Sequence, residues 1–257
     1  MIGTLLDKIN RFRATRVLEA SRYKRAMADI PPTLYAYWKS TAQSEFKGIP
    51  SDAFFFARAT EGLLVFFDCV RTSGKPCALP SAAADSVWHA WNELSPVQLN
   101  RFCKKHFGRA IPHVEAAAMA PEMDQALANS LAAARRLDAL PAAGAGIPGL
   151  FALDRRLRMP AGYAYSATGG QVAFRHINQH GAEEGKRHLP AALAPAAMLA
   201  AGLISAEEYQ VSLQKAHPDG SGCGAGCGST ASDSGACDSG GGCGSSCGSG
   251  CGGGCGS

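Results

Sequence analysis

Apolar side chains recur at three- and four-residue intervals through most of the first 216 positions, the period of amphipathic helices. Leu5, Leu6, Ile9 and Phe12 open the pattern and predict a first helix from about Thr4 to Met27. Pro31-Pro32 interrupts it, and Leu34, Tyr35 and Trp38 then share one side of a second helix. Ser51 is placed to cap a third, running to about Val70. Its Phe54, Phe55, Leu63, Leu64, Phe66 and Phe67 make it apolar on most sides, as a central core helix must be. Beyond a loop marked by Gly74, Pro76 and Pro80, Ser81 precedes a helix to about Glu93. There Ala84, Val87, Trp88 and Trp91 fall at i, i+3, i+4 and i+7. Ser95, Pro96 and Gln98 supply an N-cap, a first-turn proline and a capping box for the next helix. Leu99, Phe102, Cys103 and His106 form its inward face, and Gly108 is placed to end it.

The pattern weakens afterwards. Pro121 opens an Ala-rich helix through Leu137 that stops at Pro141, and residues 141–149 read as a linker or hinge. A short helix follows near 150–158. Tyr163-Ala164-Tyr165 and residues 171–177 flank Gly169-Gly170 and permit a small β-hairpin. Residues 193–201 and 205–215 form a last helix pair, the second opened by the capping box Ser205-Ala206-Glu207-Glu208. The fold class expected is therefore all-α with a minor hairpin. It divides into a helical domain over 1–140, the linker, and a small mainly helical subdomain over 150–216.

Composition separates the remainder. Residues 217–257 hold 16 of the 30 Gly, seven of the ten Cys and no Lys or Arg. Such a stretch cannot bury enough apolar area to offset its ordering entropy, so a disordered Gly/Cys/Ser-rich tail is expected. The rest carries 25 basic and 18 acidic residues, a balance too modest to point to nucleic acid. Much of the excess surrounds the apolar stripe of the first helix, at Lys8, Arg11, Arg13, Arg16, Arg22, Lys24 and Arg25. A basic amphipathic helix of this kind can touch a membrane surface peripherally, although most such helices are simply solvated on one side. Asp7, Lys8 and Arg11 interrupt any secretory signal, and no run reaches the ~18 apolar residues of a transmembrane span. The expectation is a cytoplasmic protein with reduced thiols.

Candidate chemistry concentrates between residues 85 and 113. Asp85 and His89 stand one turn apart, so the carboxylate can orient the imidazole. His89, Cys103, His106 and His113 are the N and S donors that Zn²⁺ prefers, with Asp85 behind them as a supporting carboxylate. The structural alternative is that these residues only pack, together with Trp88, Trp91, Phe102, Phe107 and Gly108. A second group, His176, His180 and His188 with Glu183 and Glu184, lies in a Gly-rich charged stretch that reads as an exposed loop. In the tail, Cys223, Cys227, Cys237, Cys243, Cys247, Cys251 and Cys255 stand in Cys-Gly-rich spacings that suit a soft ion such as Cu(I) or Zn²⁺.

Asp85-x-x-Trp88-His89, Cys103, Phe107-Gly108-Arg109 and His113 resemble the signature of the glycine-rich domain-containing protein-like family, a group of helical proteins some of which carry glycine-rich tails. The resemblance covers about 30 residues and implies a helical fold without bringing a reaction. No nucleophile, base and orienting group assemble at a known spacing. A non-catalytic protein is therefore expected, binding soft metal through its tail and the His/Cys hairpin. The alternatives are a scaffold for a partner protein in which every His and Cys is structural, and a tail that serves as substrate for a modifying enzyme.

Overall fold

The computed structural model describes residues 2–113, 122–141, 146–168 and 170–216. The seven tail cysteines and the expected disorder of 217–257 lie outside the described residues. What is described is mainly helical. In chain order the helices are α1 (Ile2–Ala20), α2 (Lys24–Ala28), α3 (Pro32–Glu45), α4 (Ala53–Ser73), α5 (Ala82–Leu94), α6 (Pro96–Phe107), α7 (Met123–Leu137) and α8 (Leu153–Leu157). Three strands follow, β1 (Tyr163–Thr168), β2 (Gln171–Ile177) and β3 (Glu183–His188), then a 3₁₀ turn, α9 (Pro195–Ala200) and α10 (Ala206–Ala216).

The most apolar helix takes the middle. α4 packs against α1, α5, α6, α7 and α8, and Phe55, Leu63, Leu64, Phe66 and Phe67 are all buried. Its N-cap is Asp52, one residue beyond the expected Ser51. The Asp52 carboxylate accepts the Phe54 and Phe55 N–H groups at 2.9 and 3.1 Å, two donors that a helix start leaves without internal partners. Gly74, at φ 65°, ends the helix in the left-handed region. Gly62 marks a close approach: a Cβ there would stand 2.3 Å from Leu153 Cδ2, so the Leu153 side chain occupies space that a larger residue would make it leave.

The first helix is shorter than its apolar pattern suggests. It stops at Ala20, where Ser21 Oγ accepts the Tyr23 N–H at 3.1 Å and competes with helix continuation. The chain then turns into α2. Capping reads as expected at three other helices: Ser81 accepts from Ala84, Ser95 from Gln98, and Ser205 and Glu208 exchange a reciprocal pair.

The hairpin expected near 163–177 is present as β1 and β2, in antiparallel register with Tyr165 opposite Phe174. The body is therefore not purely helical. The stretch read as an exposed loop around Glu183, Glu184 and His188 is instead a third antiparallel strand on the open edge of that sheet. Its side chains are almost all exposed, so it lacks the alternation by which a half-buried strand is recognised.

One buried cluster runs through the stretches on both sides of residues 141–149. Leu150, Phe151, Met159, Tyr165, Val172, Leu193 and Met198 share it with Trp38, Phe67 and Trp91. A buried carboxylate joins the sheet to the helices. Asp154 Oδ1 accepts the Ser81 hydroxyl at 2.6 Å and the Ala83 N–H at 3.0 Å, while Oδ2 accepts the Ala82 and Tyr163 N–H groups at 2.9 and 3.0 Å. The start of β1 and the first turn of α5 are thus held by one side chain.

Candidate metal centre

Asp85 and His89 project from α5 one turn apart, on the flank beside the buried face of Trp88 and Trp91. The third member arrives from beyond α6. Gly108, at φ 78°, reverses the chain at the end of that helix, and Ile111 is buried just after it. His113 is thereby returned over α5, with its ring edge against Trp88 at 4.5 Å and against His89 at 4.5 Å. His113 Nε2 lies 3.1 Å from Asp85 Oδ1, and His89 Nε2 lies 3.5 Å from Asp85 Oδ2.

Among the described residues, Asp85, His89 and His113 are the group whose donor atoms fall within 4.8 Å of one another. All three side chains are half-buried. The other ring nitrogen of His89 is occupied, since Nδ1 contacts the carboxylate of Glu45 at the end of α3. A carboxylate at Nδ1 fixes the tautomer that leaves Nε2 free to bind, the usual arrangement behind a metal-ligating histidine. Glu45 stands behind the His89 ring, where the sequence suggested Asp85, and Asp85 falls within the donor group itself.

The group lies at the wall of a cavity of about 700 Å³. Phe66, Val70, Leu79, Trp88 and Ile111 supply its apolar lining, with Cys77, Lys75 and Arg109 as the further polar residues. Loop 74–81 forms one wall and is held from behind by α7. Asn129 Nδ2 donates to the Pro76 carbonyl at 2.7 Å, Ser130 Oγ to the Ala78 carbonyl at 2.7 Å, and the Ala78 N–H to the Ala126 carbonyl at 3.2 Å. These polar residues of the Ala-rich helix, both buried, fix a loop that has no secondary structure of its own.

The other sequence candidates lie elsewhere. Cys103 is fully buried and outside the donor group. Burial pushes its thiol up to about 11, opposed only by a hydrogen bond from the Ile111 backbone, so at neutral pH it is a protonated side chain of the core. His106 is drawn to the opposite side, where Nε2 donates to Asp29 Oδ2 at 2.8 Å and Lys105 Nζ donates to the same oxygen at 2.6 Å. These two donors, Lys105 first, hold the exposed Asp29 carboxyl below its ordinary range. The helix period places Cys103 and His106 near each other but is silent on where α5 lies around them, and the two histidines end on different flanks. Trp88, Trp91, Phe102 and Phe107 are buried; Trp91 meets Phe102 at 4.7 Å and Phe67 meets Phe107 at 5.5 Å. In the second group, His176 and His188 stand edge to face across β2 and β3 at 5.3 Å around Phe174, without forming a donor group of three.

Glu45, Cys77 and Asp154 had no signal in the sequence. Each matters through a partner more than 30 residues away or through a cavity wall, and no local period marks such contacts. Residues 55–185 match the model of the family described as UCP032817-like, a stretch that contains Asp85, His89, His113 and Asp154 but not Glu45 or α1. No curated protein and no solved structure matches the chain.

Proposed function

We propose that this chain, which belongs to the UCP032817-like family, is a metal-binding protein whose ion sits on Asp85, His89 and His113 at the wall of the apolar cavity. The observation that carries the reading is the convergence of three donors from two separate segments. In tetrahedral coordination at ~2.0–2.1 Å, neighbouring ligand atoms are about 3.3 Å apart. The Asp85 oxygens stand 3.1 and 3.5 Å from the two imidazole nitrogens, so an ion could enter with small side-chain movements. Two imidazoles and one carboxylate suit Zn²⁺ and other divalent first-row ions better than Cu(I), which favours thiolates. Any Cu(I) binding belongs to the tail cysteines.

Three protein ligands leave at least one coordination position for another molecule. The lining of Phe66, Val70, Leu79 and Trp88 favours a ligand with an apolar body and one oxygen or nitrogen for the metal. An ion held this way would polarise that oxygen or acidify a bound water.

The test is cobalt substitution in the full chain with its seven tail cysteines replaced by Ser. Co²⁺ on two nitrogens and an oxygen should give d–d absorption without thiolate charge transfer, and His113→Ala should abolish it. Absorption that carries strong thiolate charge transfer and survives His113→Ala would assign the binding to cysteines and end the reading.

A further inference from the structure

We propose that the exposed side of α1 docks on an anionic lipid surface, the basic side chains meeting the headgroups while the apolar ones enter the boundary of the acyl layer. α1 has two apolar sides. Ala14 and Val17 are buried against Ala57 of α4, with Ala53 and Phe54 beside them, and they fix the helix to the body. On the other side Leu5, Ile9 and Phe12 are 61%, 43% and 67% exposed. At 100° per residue Leu5, Ile9, Phe12 and Arg16 fall within a strip about 60° wide, bordered by Lys8 on one edge and Arg13 on the other. Three adjacent large apolar side chains, Leu5, Ile9 and Phe12, facing solvent are a patch rather than scattered exposure.

Charge decides the occupant. Residues 1–28 hold seven Lys and Arg against two acidic residues. Of the two acids, Asp7 pairs with Arg11 at 2.9 Å, and Glu19 reaches Arg16 only at 4.0 Å. Arg22 is taken by Asp138 at 2.8 Å, while Lys24 and Arg25 of α2 are exposed. Arg13 stacks on the Phe54 ring at 3.7 Å, but a second copy of α1 would still bring Lys8 and Arg16 against their own kind, which disfavours self-association through this strip. Nucleic acid would use the cations and leave Leu5, Ile9 and Phe12 without a role. An anionic bilayer uses both, with apolar groups inserted at the interface and cations near the headgroups. The surface offered is one side of a helix rather than a groove, which suits a flat partner. Among the described residues no helix is long and apolar enough to cross a membrane, so the contact is peripheral.

The experiment is co-sedimentation of the full chain with phosphatidylcholine vesicles, with and without about a third phosphatidylserine. Binding to the anionic vesicles should be at least about tenfold tighter and should weaken as salt is raised. Phe12→Glu and Ile9→Glu, both at exposed positions, should each abolish binding while leaving the circular dichroism spectrum unchanged. The pair Lys8→Glu and Arg16→Glu should remove the preference for phosphatidylserine. Absence of binding, equal binding to both vesicles, or binding indifferent to Phe12→Glu would each overturn the proposal. A concentration-dependent dimer that Phe12→Glu dissolves would also overturn it, by assigning the strip to a second copy.

Discussion

Replacing Asp154 should weaken the whole body, in an order set by its hydrogen bonds. Its two oxygens accept four donors, three of them backbone N–H groups at Ala82, Ala83 and Tyr163. Burial pushes the carboxyl above its ordinary range while those donors oppose the shift. Two physical effects therefore compete when Asn takes its place. An amide carries no charge to desolvate, which favours the variant. It also presents an NH₂ where one oxygen stood, which disfavours it. With the NH₂ at the Oδ2 position, both Ala82 and Tyr163 face another donor. With it at Oδ1, the Ser81 hydroxyl can turn to accept, giving up its own acceptor, and a single backbone N–H, that of Ala83, is orphaned. The second rotamer is cheaper, and one buried unsatisfied N–H costs about 1–3 kcal/mol. Asp154→Ala orphans all three N–H groups, on the order of 3–9 kcal/mol, brought toward the lower end where water enters the space. Urea unfolding followed by circular dichroism should rank the wild type above Asp154→Asn and Asp154→Ala last. At a slope of roughly 2 kcal/mol per molar, the Asn midpoint should fall by about 1 M. An Asn variant more stable than the wild type would mean that burying the charge outweighs the acceptors, and would refute this account of the junction.

Three further outcomes follow from the packing and the tail. Trp88→Ala removes a ring that meets Phe66 at 5.4 Å and Phe67 at 5.3 Å, and should cost roughly 3–5 kcal/mol in the same titration; a loss below about 1 kcal/mol would contradict the burial of that face. The Cys103 thiol is raised to about 11 against ~8.5 in an unfolded chain, so the native state holds its proton more tightly. Its contribution is fully present below about pH 8.5 and is lost as pH rises toward 11, a difference of roughly 3–4 kcal/mol. Cys103→Ala should therefore flatten the alkaline fall in the urea midpoint, and an unchanged slope would count against it. Replacing all seven tail cysteines by Ser should abolish Cu(I) uptake beyond that of the body, and undiminished uptake would leave the tail without a metal role.

Much of the helical body was legible because its information is local. The 3.6-residue period marks α3 to α6, Ser81 and Ser95 mark two starts, and Gly108 marks a stop. The boundary differences are local too: Ser21 ends α1 early, and Asp52 outcompetes its neighbour as a cap. β3 is invisible because a strand exposed on both faces has no alternation to detect. Of the donor group, Asp85, His89 and His113 stand out in the sequence, but helix period alone puts Cys103 and His106 beside them, because it does not say how two helix faces are turned toward each other. The packing turns Cys103 into the core and ties His106 to Asp29. Glu45, 44 positions before His89, could be found only once α3 was placed beside α5.

The most direct measurement is calorimetric titration of Zn²⁺ into the full chain with its seven tail cysteines replaced by Ser, so that thiolates outside the body contribute nothing. One equivalent should bind. His113→Ala in the same background should remove it, and Glu45→Gln, which keeps the three ligands but loses the carboxylate at His89 Nδ1, should weaken it by about 10–100-fold. Cys103→Ala and His106→Ala should bind as the parent does. Uptake that survives His113→Ala but is lost with Cys103→Ala or His106→Ala would contradict a centre built on Asp85, His89 and His113, as would the absence of any binding.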